Sequence, residues 1–146
     1  MKIVSPEFKN NESIPGKFTC DGEGINPPLE ISEIPKGTKA LALIVNDPDA
    51  PSGDYIHWLL ADFEPVLQIA EGSTPNGATR GTNSSGSLDY IAPCPPSGTH
   101  RYYFKVYALS DKLNLKEGFS QKDLEGVLVQ KTLESSELIC LYQRNN

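Results

Sequence analysis

A mainly β fold, with antiparallel sheets and one short helix near the C-terminus, is predicted by three features of the chain. Glycine and proline number 12 each among 146 residues, an excess that favours short strands and shaped loops over a helical bundle. Two apolar stretches, Ala40 to Val45 and Tyr55 to Phe63, carry strand-type patterning, and helical spacing is confined to one segment after Ser120. The chain reads as one domain spanning 1–146, long enough to bury about 68–70% of its unfolded surface.

The elements follow in order. Lys17-Phe18-Thr19-Cys20 reads as a short strand closed by Asp21-Gly22. Pro27-Pro28 leads into Leu29-Glu30-Ile31, whose alternation predicts one buried face. Pro35-Lys36-Gly37-Thr38 is a turn by composition. Lys39 to Asn46 is nearly continuous apolar and predicts a central strand buried on both faces. Tyr55 to Phe63 is the next strand, with a shorter one near Val66 to Ala70. Glu71 to Ser87 is rich in Gly, Ser, Thr and Asn and reads as a long loop of the kind that is functional or mobile. Tyr102 to Leu109 alternates at strand period. Ser120-Gln121-Lys122-Asp123 has the form of a capping box, with helical spacing through Leu124, Val127 and Leu128 to about Leu133. Glu137 to Tyr142 is the last strand.

Charge and cysteine usage narrow the function classes. A net charge of −6 argues against nucleic acid and anionic membranes as bulk electrostatic partners, without excluding a small, locally positive pocket. Met1 to Pro6 has no apolar leader core, and no segment approaches the ~20 apolar residues of a membrane span. Cys20, Cys94 and Cys140 are widely separated and have neither zinc nor thioredoxin spacing. They are expected to be three buried thiols in a reducing cytoplasm.

Two stretches carry the chemistry. In Asn46-Asp47-Pro48-Asp49-Ala50-Pro51-Ser52-Gly53-Asp54-Tyr55-Ile56-His57-Trp58 a stiff loop joins two strands, which places Asp47 and His57 at one end of a sheet. In Pro93-Cys94-Pro95-Pro96-Ser97-Gly98-Thr99-His100-Arg101-Tyr102-Tyr103-Phe104 another proline-rich loop delivers His100 to a strand. His100 shares the parity of Tyr102, so both point to one face, whereas Arg101 points away and is expected to pair with surface carboxylates. These are the only two histidines, each beside an aromatic residue. Two imidazoles and a tyrosine hydroxyl can supply donors to an anion's oxygens. Asp47 repels an anion unless it accepts from a histidine and fixes its tautomer, and that orienting role is the one expected of it. The plainer alternative makes both histidines satisfied structural residues at strand ends. Trp58 and the aromatic set Tyr103, Phe104 and Tyr107 read as packing residues.

Asp47-Pro48-Asp49-Ala50-Pro51, His57-Trp58 and Pro93 to Phe104 resemble the two signature regions of the phosphatidylethanolamine-binding protein family. Thr19-Cys20-Asp21-Gly22 followed by Pro27-Pro28-Leu29 resembles the start of its prokaryotic, Raf-kinase-inhibitor-like branch. The resemblance implies antiparallel sheets with Greek-key connections and a small pocket for phosphate-like anions. Residue by residue, it implies pocket roles for Asp47, His57, His100 and Tyr102. Asp49 and Pro51 would shape the wall, and Pro93 would belong to the second loop. The sequence departs from the family's pattern at Ile91-Ala92, where Gly-Gly is usual after the tyrosine. Tyr142 would match a tyrosine of the family's C-terminal segment. Loop geometry and family analogy together predict a cis peptide at Ala50–Pro51. By analogy with prokaryotic relatives, a homodimer is expected.

Three function classes compete. The first is a non-catalytic module binding a phosphorylated or other anionic ligand, with a protein partner as a further possibility. The second is a protease or kinase inhibitor acting through an exposed loop, for which the chain offers no reactive-site signature. The third is a hydrolase, in which Asp47, Asp49, His57 and His100 hold a metal or His57 activates Ser97. No His-x-x-x-His, His-x-His or Gly-x-Ser-x-Gly pattern supports the third. The expectation is therefore a binding module with no cofactor, no metal and no stable membrane insertion.

Overall fold

A computed structural model describes residues 1–144. Nine strands and one α-helix run in the order β1 (Lys2–Val4), β2 (Glu12–Ser13), β3 (Leu29–Ser32), β4 (Ala40–Asp47), β5 (Tyr55–Phe63), β6 (Gln68–Ile69), β7 (Thr79–Arg80), β8 (His100–Leu109), α1 (Gln121–Lys131) and β9 (Thr132–Tyr142). A small antiparallel sheet has the order β1-β3-β6, and a six-stranded sheet has the order β2-β9-β8-β4-β5-β7. The pairings within the large sheet are antiparallel except that of β2 with β9. After the β4–β5 hairpin the chain makes a long excursion, and β8 returns to lie against β4 rather than β5, the crossover of a Greek key.

The apolar patterning explains the layers. Alternate residues of the large sheet (Leu41, Leu43, Val45, Trp58, Leu60, Phe104 and Val106) pack against Ile3, Leu29, Ile31 and Ile69 of the small sheet. The opposite face, carried by Ala40, Ala42, Ile44, Leu59 and Ala61, is covered by Phe119, Leu124 and Leu128. β4 is covered on both sides, which is why its eight residues are all buried and its sequence reads as an unbroken apolar run. α1 starts as its sequence demands: the Ser120 hydroxyl accepts from the Asp123 N–H at 3.0 Å, and the Asp123 carboxylate accepts from the Ser120 N–H at 3.2 Å.

Several expectations are corrected. Lys17 to Cys20 is not a strand: Gly16–Phe18 forms a 3-10 turn after Pro15, and the Thr19 N–H and hydroxyl both return to the Gly16 carbonyl. Phe18 then enters the core, and the chain folds back so tightly that a Cβ on Gly22 would lie 2.3 Å from the Gly16 oxygen. The strand near Val66 shortens to two residues, and the Glu71–Ser87 loop contains β7. β9 begins at Thr132, directly after the helix, because its first half faces solvent and needs no apolar alternation. Among the described residues no peptide bond is cis, so Ala50–Pro51 is trans. Pro51 follows Ala50 in a turn closed by the Gly53 N–H to the Ala50 carbonyl, a position that the φ of a trans proline already suits. Cys20 and Cys94 form a disulfide with a Cα–Cα distance of 5.4 Å, leaving only Cys140 as a free, buried thiol. Pairing across 74 residues depends on tertiary contact that local spacing does not encode, and it removes the argument from cysteine usage to a reducing compartment. No helix among the described residues is long and apolar enough to cross a membrane.

Candidate functional site

Asp47 ends β4, Tyr55 opens β5 opposite it, and His100 opens β8 two residues before Tyr102, so four side chains gather where the strands of the large sheet begin or stop. The register contributes a further device. Val45 pairs with Trp58 and Asn46 with Ile56, so His57 is an extra residue in β5. Such a bulge re-aims a side chain. Strict alternation would give His57 the orientation of Leu59, which packs beneath the helix. His57 instead turns toward the inter-sheet side, its ring centroid 5.3 Å from that of Tyr102 and edge-on to it. The His100 ring stacks on the same tyrosine at 6.3 Å.

The two imidazoles are oriented by different acceptors. Nδ1 of His100 donates to Asp47 Oδ2 at 2.6 Å, and Nδ1 of His57 donates to the Ile91 carbonyl at 2.6 Å. Asp47 thus takes the orienting role expected of it, toward His100, while His57 is held by backbone that its sequence neighbourhood does not announce. The Ile91 N–H returns to the His57 carbonyl at 3.0 Å, so the two segments clasp each other. With both Nδ1 atoms committed as donors, the free nitrogen of each ring is Nε2. Neither Nε2 has a protein partner among the described residues. Burial holds His57 below the usual imidazole range, against the opposing pull of the Ile91 carbonyl and the Asp47 charge. Burial, reinforced by the Asp47 charge, pushes the Tyr102 phenol well up, so it stays a neutral hydroxyl.

These groups line a cavity of about 330 Å³ whose remaining wall is Ala50, Pro51, Ser52, Tyr55, Ile91, Ala92, Cys94 and Pro96. The structure therefore brings Asp47, Pro51, His57, His100 and Tyr102 together on one cavity. Asp49 and Pro93 stand behind the wall rather than on it. Asp49 braces the loop: its carboxylate accepts from Nε and the terminal nitrogen of Arg101 at 2.9 and 2.8 Å and from the Arg101 N–H at 2.9 Å. Its own N–H donates to Asp47 Oδ1 at 2.8 Å, so Arg101 steadies the carboxylate that orients His100. Pro93 is buried, and its carbonyl accepts from the Cys20 N–H at 3.1 Å. Tyr55 and the Ile91 carbonyl were not singled out by sequence reasoning. Only the opposition of Tyr55 to Asp47 across a hairpin could have marked the first, and nothing local marks the second. Tyr142 lies outside the cavity and donates to Asp21, which also pairs with Arg144. Among the described residues no group of three or more His, Cys, Asp or Glu side chains is placed to hold a metal ion.

The brace has a measurable signature. The Arg101 guanidinium holds the Asp49 carboxyl at about 2, below its ordinary range. A depressed carboxyl contributes stability above its unfolded value and loses it as pH falls through the folded one. Asp49→Asn is therefore expected to lower stability by about 1 kcal/mol at pH ~7, a figure reduced for solvent screening at this exposed pair. The difference from wild type narrows between pH ~4 and ~2, as measured by urea unfolding.

The chain and its fold have counterparts in known proteins. The family model described as phosphatidylethanolamine-binding protein matches residues 4–143. A UPF0098 protein of Pyrococcus horikoshii is 45% identical, covering 97% of this chain and 76% of the relative. One from Methanothermobacter thermautotrophicus is 41% identical over 99% of both. The crystal structure of a phosphatidylethanolamine-binding protein homologue from Chlamydia trachomatis superposes with a TM-score of 0.95 at 37% identity, covering 99% of this chain and 97% of that one. Escherichia coli YbcL, described as a member of the mammalian PEBP family, superposes at 0.91 with 28% identity over 99% and 98% of the two chains.

Proposed function

The chain belongs to the phosphatidylethanolamine-binding protein family, and from that premise we propose that its cavity is a non-catalytic receptor for one phosphate-like anion. The observation that carries this reading is the commitment of both Nδ1 atoms, to Asp47 and to Ile91, which leaves two Nε2 positions on one small cavity. When the rings are protonated, both become donors to the oxygens of a single group. The Tyr102 hydroxyl adds a neutral donor at the same cavity. Ala50, Pro51, Ile91, Ala92 and Pro96 supply apolar walls that exclude water around that group and strengthen each charged contact.

A small diester fits this chemistry, because it carries one fixed negative charge and four oxygens. Calorimetry with dimethyl phosphate is expected to give one site per chain, and trimethyl phosphate, its neutral analogue, is expected not to bind. Equal binding of the two would mean that shape, not charge, selects the ligand. The hydrolase route in which His57 activates Ser97 loses support, because Ser97 is exposed and does not line the cavity. In this reading the anion is borne by a phosphorylated small molecule or protein, as the likeness to the Raf-kinase-inhibitor-like branch implies. Self-association as a dimer belongs to the same proposal.

A further inference from the structure

We propose that the Cys20–Cys94 disulfide is a redox switch on the anion cavity, so that a dithiol reductant loosens one wall and lowers affinity for the anion; the proposal rests on the anion-binding reading of that cavity. The bond joins two unlike partners. On one side, Thr19 is fully buried, its hydroxyl donates to the Gly16 carbonyl and accepts from the Asp21 N–H, and the Asp21 carboxylate is held by Tyr142 and Arg144. That turn is a fixed anchor. On the other side Cys94, exposed like Cys20, lines the cavity together with Ile91, Ala92 and Pro96.

Few hydrogen bonds hold the wall segment. Pro93, Pro95 and Pro96 have no N–H to donate. Its backbone ties are the Ile91 clasp to His57 and the Cys20 N–H to the Pro93 carbonyl. Beyond Pro93, among the described residues, Cys94 to Thr99 make no backbone hydrogen bond before β8 begins. The Thr99 hydroxyl donates to the Gln143 side chain at an exposed position. Besides the packing of the buried Pro95, the disulfide is thus what ties down the half of the wall that carries Pro96. Neither of its cysteines belongs to the two apolar clusters of the interior, so its loss leaves the layers in place.

The exchange balances. A reductant thiolate attacks the exposed Cys94 sulfur and the S–S bond breaks. Cys20 leaves as a thiolate and takes a proton. The second reductant thiol, as its thiolate, then displaces Cys94, which is protonated in turn. The protein has gained two electrons and two protons, and the reductant leaves as its own disulfide. A wall no longer held in its binding conformation must be ordered by the ligand, and affinity falls by that ordering cost.

The test compares the oxidised protein, the protein reduced with dithiothreitol, and Cys20→Ser. Dimethyl phosphate affinity is measured by calorimetry, and amide exchange at residue 20 and at Ile91, whose N–H groups bond the Pro93 and His57 carbonyls, by mass spectrometry. Reduction and Cys20→Ser are each expected to weaken binding by about ten-fold and to speed exchange at those two amides by a similar factor, about ten-fold. Far-UV circular dichroism is expected to stay unchanged, and dithiothreitol to have no further effect on Cys20→Ser. Unchanged exchange overturns the proposal, as does unchanged affinity where the oxidised form binds, or reduction that unfolds the whole chain. If dimethyl phosphate binds neither form, the anion-binding reading fails by itself, and the exchange data alone decide whether the bond controls the wall.

Discussion

His100→Ala weakens dimethyl phosphate binding by about ten-fold or more at pH ~5.5, the loss of one charge-assisted hydrogen bond worth roughly 1.5–3 kcal/mol. The substitution also removes the donor to Asp47 Oδ2, which is 3% exposed. An orphaned buried acceptor costs about 1–3 kcal/mol, so stability falls while the fold persists. His100→Asn separates the two effects, because its amide nitrogen stands where Nδ1 stood and can still donate toward Asp47, but it carries no ionisable ring. The asparagine variant is expected to recover much of the stability and none of the affinity, as read by calorimetry beside urea unfolding. An alanine variant that binds as well as wild type would make His100 a structural residue only.

Phe104→Ala is expected to lower stability by about 3–5 kcal/mol, enough to unfold a marginal domain at modest denaturant concentration. Phe104 is fully buried on β8, between Tyr102 and Val106 on the same face, with the Phe8 ring 6.3 Å away. It lies where the two sheets meet, so neither sheet alone can close over the space it leaves. The urea midpoint should fall with little change in the slope of the transition. A loss below about 1 kcal/mol would mean that the layers repack freely, contrary to the density expected of such an interior.

The parts of this architecture that were legible in the sequence are those in which one element announces itself. β5 begins at Tyr55 and ends at Phe63, as its apolar run indicates, and the all-buried β4 follows from an unbroken apolar stretch. The capping box at Ser120 located the start of α1 because it is chemistry between residues three apart. Asp47, His57, His100 and Tyr102 could be grouped because each lies at a strand end beside a proline-rich loop. What stayed hidden depends on register or on contacts between distant segments. The bulge at His57 is a property of its pairing with β4, not of β5 itself. The Ile91 carbonyl that orients His57 is 34 residues away in sequence. The disulfide joins Cys20 to Cys94 across 74 residues, and Cys20 follows a 3-10 turn at Gly16–Phe18 where the sequence reads as a strand over Lys17 to Cys20. Asp49 was assigned to the wall from its motif, whereas the opposite parity of Arg101 had already indicated a surface partner, and the two are one ion pair.

The claim that protonated imidazoles hold the anion is tested most directly by the pH dependence of dimethyl phosphate affinity, with the His57 and His100 ring resonances followed by NMR. In the free protein burial keeps His57 below its ordinary value. An anion that prefers the charged ring must raise that value, so binding takes up protons. Affinity is expected to be highest below pH ~6.5, the unperturbed imidazole value, and to fall as pH rises through the range in which the rings lose their protons. The His57 ring resonance should titrate at higher pH in the complex than in the free protein. A flat profile from pH ~5.5 to ~8, or affinity that rises with pH across the imidazole range, would contradict it and mean that the charged rings do not hold the anion.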